Sequence, residues 1–154
     1  MSSRRGALQQ VGWREWIGLP TLKVPSIKAK IDTGARTSSL HAFEIERFKK
    51  SGQDFVRFQI HPRQRNHLLI VRAEAPLLGY RKVRSSSGHQ VSRPVITTEI
   101  SLFDQAWTIE LTLANRDQMG FRMLLGREAL RDRLLVDSGA SYCDPSRIPR
   151  RKSV

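Results

Sequence analysis

Apolar and polar residues alternate with a period of two along most of this chain. Ile27, Ala29 and Ile31 are separated by Lys28 and Lys30; Phe43 and Ile45 alternate with Glu44 and Glu46; Val56, Phe58 and Ile60 alternate with Arg57 and Gln59. Trp107, Ile109, Leu111 and Leu113 alternate with Thr108, Glu110 and Thr112. A β-strand sends successive side chains to opposite faces, so each run predicts a strand with one buried and one solvated face. The polar turn Lys49 to Asp54 joins a strand within Leu40 to Phe48 to the Val56 strand as a hairpin. Leu68 to Val71 predicts a short buried strand. Tyr80 to Arg84 and Pro94 to Leu102 flank Ser85-Ser86-Ser87-Gly88-His89, which predicts a long hairpin with a small, mobile tip. Glu128 to Arg133 suits one or two helical turns, and Leu134 to Val136 a last short strand. Many short strands, with no internal repeat and no long helical pattern, predict an all-β barrel or sandwich.

The 154 residues read as one domain, residues 11–143, between two flexible basic tails, 1–10 and 144–154. Trp13 and Trp16, in an apolar opening stretch, are expected to anchor it. No apolar run approaches the roughly 18 residues of a membrane span. Met1 to Gln10 lacks the apolar stretch of a secretory signal, and the single cysteine, Cys143, excludes an internal disulfide and fits a reducing compartment. A cytoplasmic protein is expected.

Charge changes the picture. There are 27 basic against 14 acidic residues, a net of +13. Six of the basic residues and one acid lie in the tails, so residues 11–143 keep a net of +8. Such a surface attracts an acidic partner, whether nucleic acid, acidic protein or acidic peptide. His41, His61, His67 and His89 stand at no metal-binding spacing, and His41 is expected to be a hydrogen-bonded structural histidine. There is no phosphate-binding glycine-rich loop and no Gly-x-Ser-x-Gly elbow, so no cofactor is expected.

The chemistry-bearing stretch is Asp32-Thr33-Gly34, directly after the Ile27 to Ile31 strand. A rigid strand delivers a carboxylate onto a turn that Gly34 keeps tight and approachable. Two such carboxylates brought together cannot both ionise, which is how aspartic peptidases share a proton between an acid and a base. Asp137-Ser138-Gly139-Ala140 offers a second Asp-x-Gly. The polar stretch after it cannot build a second lobe, so a terminal turn is expected there and the dyad must come from two chains.

Four blocks carry a resemblance. They are Val11 to Trp16, Ile31 to Ala42, Arg84 to Gly88, and Asn115 to Arg127. Together they resemble the retropepsin-like aspartic peptidases, and more closely a bacterial family that bears the label "ATP-dependent zinc protease" and accompanies ligases that add glutamates to a ribosomal protein. The resemblance implies a retropepsin-like closed barrel with a flap hairpin and one short C-terminal helix. It implies Asp32, Thr33 and Gly34 as catalytic residues in a homodimer. Ala35, Arg36, Arg84, Ser85, Ser86, Ser87 and Gly88 would meet substrate, with Gly126 and Arg127 as structural support, and an acidic or glutamylated protein as substrate. Arg36 departs from the retroviral pattern, in which an Asp at this place pairs with the Gly-Arg arginine. Arg127 is therefore expected to find another acid, Glu128 or Asp132. A different class of function, a non-catalytic basic β-barrel holding RNA or a ribosomal surface, fits the charge and leaves Asp32-Thr33-Gly34 unexplained.

Overall fold

The computed structural model describes residues 8–63, 69–84, 87–115 and 120–149. Among these residues eleven strands and one α-helical turn follow in order, with short 3-10 turns at Pro20–Leu22 and Pro145–Arg147. They are β1 (Gln9–Val11), β2 (Arg14–Leu19), β3 (Val24–Asp32), β4 (Ser38–His41), β5 (Phe43–Lys50), β6 (Gln53–Ile60), β7 (Val71–Arg84), β8 (Gln90–Leu102), β9 (Gln105–Ala114), β10 (Met123–Gly126), α1 (Arg127–Leu130) and β11 (Leu134–Val136).

Six strands close a barrel in the order β2-β3-β10-β4-β9-β8, and β8 returns to β2 through Gly18 opposite Ser101. Gly18 permits that closure, because a Cβ there would stand 2.5 Å from the Ser101 hydroxyl oxygen. The alternating apolar residues face inward as their period requires: Ile17, Ile27, Ala29, Leu40, Ile96, Ile100, Leu111 and Leu125 are all fully buried. Each large aliphatic side chain of this kind stabilises the fold by about 1.5–3 kcal/mol. Strands β7, β6 and β5 extend the sheet beyond β8 as a flanking layer, with Val56, Phe58 and Ile60 buried against Ala73 and Ala75. The architecture is all-β, closed, with one short helix.

Two expectations are corrected. Leu69 and Ile70 are exposed and lie in no strand; Val71 instead opens the long strand β7, and Leu68 lies outside the described residues. The stretch Leu40 to Phe48 is two strands. Ala42 is fully buried and donates its N–H to Ala114 O (3.1 Å), and Glu44 takes a positive φ of 53°. The chain there leaves the barrel (β4) for the outer edge of the flanking layer (β5).

Cys143 and Asp144 are tied back to the stretch that opens β2. Glu15 is fully buried, and its carboxylate accepts hydrogen bonds from Gly12 N (2.7 Å), Cys143 N (2.9 Å) and Asp144 N (3.4 Å). Asp144 is buried in turn and accepts from the Phe103 and Ser146 backbone N–H groups. Burial pushes the Cys143 thiol above its ordinary pKa, and the neighbouring Glu15 carboxylate adds to the rise. Among the described residues no helix is long and apolar enough to cross a membrane.

Candidate active site

Strand β3 ends at Asp32, and β10 lies parallel beside it, with Leu125 opposite Ile31 and Gly126 opposite Asp32. The carboxylate folds back over its own turn: Asp32 Oδ1 accepts from Gly34 N (3.0 Å), and Asp32 O from Ala35 N (3.2 Å). The turn is then held by the segment after β10. Arg127 N donates to Ala35 O (2.8 Å) and Glu128 N to Arg36 O (3.1 Å). The Arg127 guanidinium donates through Nη1 to the carbonyls of Thr33 (3.4 Å) and Gly34 (3.2 Å). Gly126 N donates to Ser38 Oγ (3.0 Å), and a Cβ at Gly126 would stand 2.4 Å from Thr37 O. Asp32 is half-buried, and its Oδ2 has no hydrogen-bond partner among the described residues. The arrangement presents one carboxylate on a backbone that other groups fix.

The structure thus brings Asp32, Thr33, Gly34, Ala35 and Arg36 together with Gly126 and Arg127. Arg127 turns to backbone carbonyls, while Glu128 meets Arg36 (3.7 Å) and Arg131 (3.3 Å). Arg84 closes the long β7–β8 hairpin opposite Gln90, and Ser87 and Gly88 stand exposed at its tip, Gly88 with φ 86°. Ser85 and Ser86 lie outside the described residues. His41 is buried, its ring 6.1 Å from that of Phe43.

Sheet register extends the site. Cross-strand partners point to the same face, and one row runs Arg14, Lys30, Leu124, Ser39, Thr112, Val95 and Gly79 across β2, β3, β10, β4, β9, β8 and β7. Lys30 and Asp32 are two residues apart on β3, so the row lies on the face that carries the Asp32 carboxylate, outside the barrel core. At its far end Arg81, two residues beyond Gly79, donates to Thr112 Oγ1 (3.3 Å) and Glu110 (3.2 Å). Between Arg81, Arg36 and the helical turn opens a pocket of about 830 Å³, lined also by Arg131, Arg133, Glu110 and Glu128. Sequence reasoning missed Lys30 and Arg14 as parts of this face. The period-two pattern placed Lys30 beside Asp32, but Arg14 needed the β2–β3 register.

Asp137 repeats the turn. Its Oδ1 accepts from Gly139 N (2.9 Å) and its O from Ala140 N (3.1 Å), while Trp13 N donates to Ala140 O (2.9 Å) as Arg127 N does to Ala35 O. β11, which precedes it, pairs in parallel with β1, and Gly12 makes the close approach there: a Cβ would stand 2.1 Å from Ala140 O.

A closed six-stranded barrel with a long hairpin and an Asp-Thr-Gly turn at the end of an inner strand defines the retropepsin-like class. The family model described as retropepsin-like aspartic endopeptidase RimB matches residues 10–147, and the chain belongs to this RimB-like family. Among curated proteins it is 48% identical over 133 residues to a "Probable alpha-L-glutamate ligase" of Shewanella pealeana, and 47% identical over 127 residues to one of Desulfotalea psychrophila. These matches cover 86% and 82% of this chain but only 29% and 27% of those proteins, so the chain spans under a third of their length. A crystal structure of Lpg0085 from Legionella pneumophila, described as of unknown function (DUF785), superposes with a TM-score of 0.76 at 29% identity, covering 88% of this chain and 97% of that one.

Proposed function

We propose that this chain is an aspartic endopeptidase that works as a homodimer, each subunit supplying one Asp32. The observation that carries the reading is the Asp32 turn, pinned by Gly126 and Arg127 with one carboxylate oxygen unpartnered among the described residues. Two such turns facing each other across a two-fold axis share one proton. The ionised carboxylate takes a proton from water, the water oxygen attacks the peptide carbonyl, and the protonated partner gives its proton to the carbonyl oxygen. The β7–β8 hairpin acts as a flap, with Ser87 and Gly88 at its tip meeting the substrate backbone.

The substrate reading is an acidic segment, including glutamate-rich tails of modified proteins. The arginine-lined pocket beside the turn and the net charge of +13 support it, as does the similarity to proteins named glutamate ligases. The test is hydrolysis of one scissile sequence flanked by glutamates, glutamines or lysines, by the native protein and by Asp32→Asn. The native protein should cut the glutamate-flanked peptide fastest at low salt, and Asp32→Asn should cut none while keeping its fold. Hydrolysis that survives Asp32→Asn rules the mechanism out.

A further inference from the structure

The cation nearest Asp32 along its own strand is Lys30, and it has no evident structural use. Lys28, two residues earlier, lies 5.4 Å over the Trp16 ring. Lys30 is exposed and makes no ion pair or ring contact among the described residues. Its place is set by register: Arg14 faces it from β2 and Leu124 from β10, and Asp32 follows two residues on. Arg14 is already immobilised, its guanidinium 4.7 Å from the Trp13 ring and 4.8 Å from the Tyr142 ring, with Nε donating to Ser141 Oγ (3.2 Å). One held cation and one with no ion pair among the described residues thus stand side by side next to the candidate catalytic turn.

We infer that Lys30 is a specificity-determining residue, whose ammonium, backed by Arg14, takes the side-chain carboxylate of a substrate residue within two positions of the scissile bond. The distance follows from strand geometry. Residues 30 and 32 are about 7 Å apart along β3, and an extended peptide over this face advances at the same pitch. The ammonium is a mobile point charge suited to a single carboxylate, whereas the arginines near Arg36 line a pocket of which Lys30 is not a part. The inference rests on the peptidase reading for the bond that is cut, but binding reads it independently.

The measurement is titration of the Asp32→Asn protein with the glutamate-, glutamine- and lysine-flanked peptides at low salt. The glutamate peptide should bind about fivefold more tightly than the glutamine peptide, the upper range for an exposed ion pair. Lys30→Met should remove most of that difference, Lys30→Glu should turn it toward the lysine peptide, and Lys28→Met should leave it intact. With Asp32 restored, Lys30→Met should lower kcat/KM for the glutamate peptide and spare that for the glutamine peptide. A glutamate preference untouched by Lys30→Met, or none in the native chain, overturns the assignment. So does displacement of the glutamate peptide by an oligouridylate at equal concentration, which would give this face to nucleic acid. If the preference appears but the intact protein cuts no peptide, the peptidase reading fails and the role of Lys30 in binding stands.

Discussion

At the scale of single residues, Glu15 shows how a buried charge serves the fold. A carboxylate removed from water is costly unless hydrogen bonds replace its hydration, and three backbone N–H groups do so here. Glu15→Gln keeps the shape but aims an amide at those donors, with at best one oxygen to accept. We expect a loss of about 1–3 kcal/mol in chemical denaturation. The same substitution removes the carboxylate that helps hold the Cys143 thiol in its protonated form. Cys143 should therefore alkylate slowly at pH 8 in the native protein and faster in Glu15→Gln, measured well below the melting temperature. Unchanged rates would separate the thiol from Glu15. None of this was legible beforehand: Glu15 sits in a stretch read only as an apolar opening anchored by Trp13 and Trp16, and only the returning chain around Cys143 and Asp144 reveals its acceptor role. Asp32 was legible because strand, acid and glycine are adjacent in sequence.

At the scale of elements, the β10–α1 segment braces the Asp32 turn, and Gly126 is where β10 passes closest. A methyl group there meets the carbonyls of Thr37 and Ala35, which are backbone and cannot swing aside. Gly126→Ala should destabilise by about 1–3 kcal/mol or more and lower hydrolysis beyond what unfolding explains, because the turn is displaced with it. Melting temperature and activity measured together check this; a variant normal in both would deny the bracing role. Elements with clean alternation, β9 above all, were readable from the sequence. The split at Ala42 was not, since alternation survives when a strand leaves one layer for another. Leu69 and Ile70 misled because an apolar run carries no information about whether anything covers it.

At the scale of the whole molecule, the closed barrel was expected from the four resembling blocks, but the pairing that closes it was not readable from the pattern, since Gly18 and Ser101 are distant and neither carries a signal. The charge balance was visible, and it bears on assembly. If two chains share one proton, mixing equal amounts of native and Asp32→Asn protein after exchange should leave about a quarter of the dimers fully native. Activity should then fall to about a quarter rather than a half, given that mixed pairs hold one carboxylate too few. A fall to one half would mean that each chain works alone.

The Asp137 turn carries a consequence for how this molecule assigns chemistry. The chain spells Asp-x-Gly-Ala twice, and the backbone answers both times with the same hydrogen bonds and the same glycine pressed against the alanine carbonyl. A shape that recurs in two neighbourhoods is made by local rules, so the spelling alone cannot confer activity; the address does. Only the first copy stands on the face lined by Lys30, Ser39 and Thr112, while Gln10 already donates to the second copy's Oδ2 (3.4 Å). Asp137→Asn should therefore leave hydrolysis at the native rate where Asp32→Asn ends it, and equal losses from the two would contradict that division. The second turn is a ready-folded spare, one that a lineage needs only to surround with a new face to put to use.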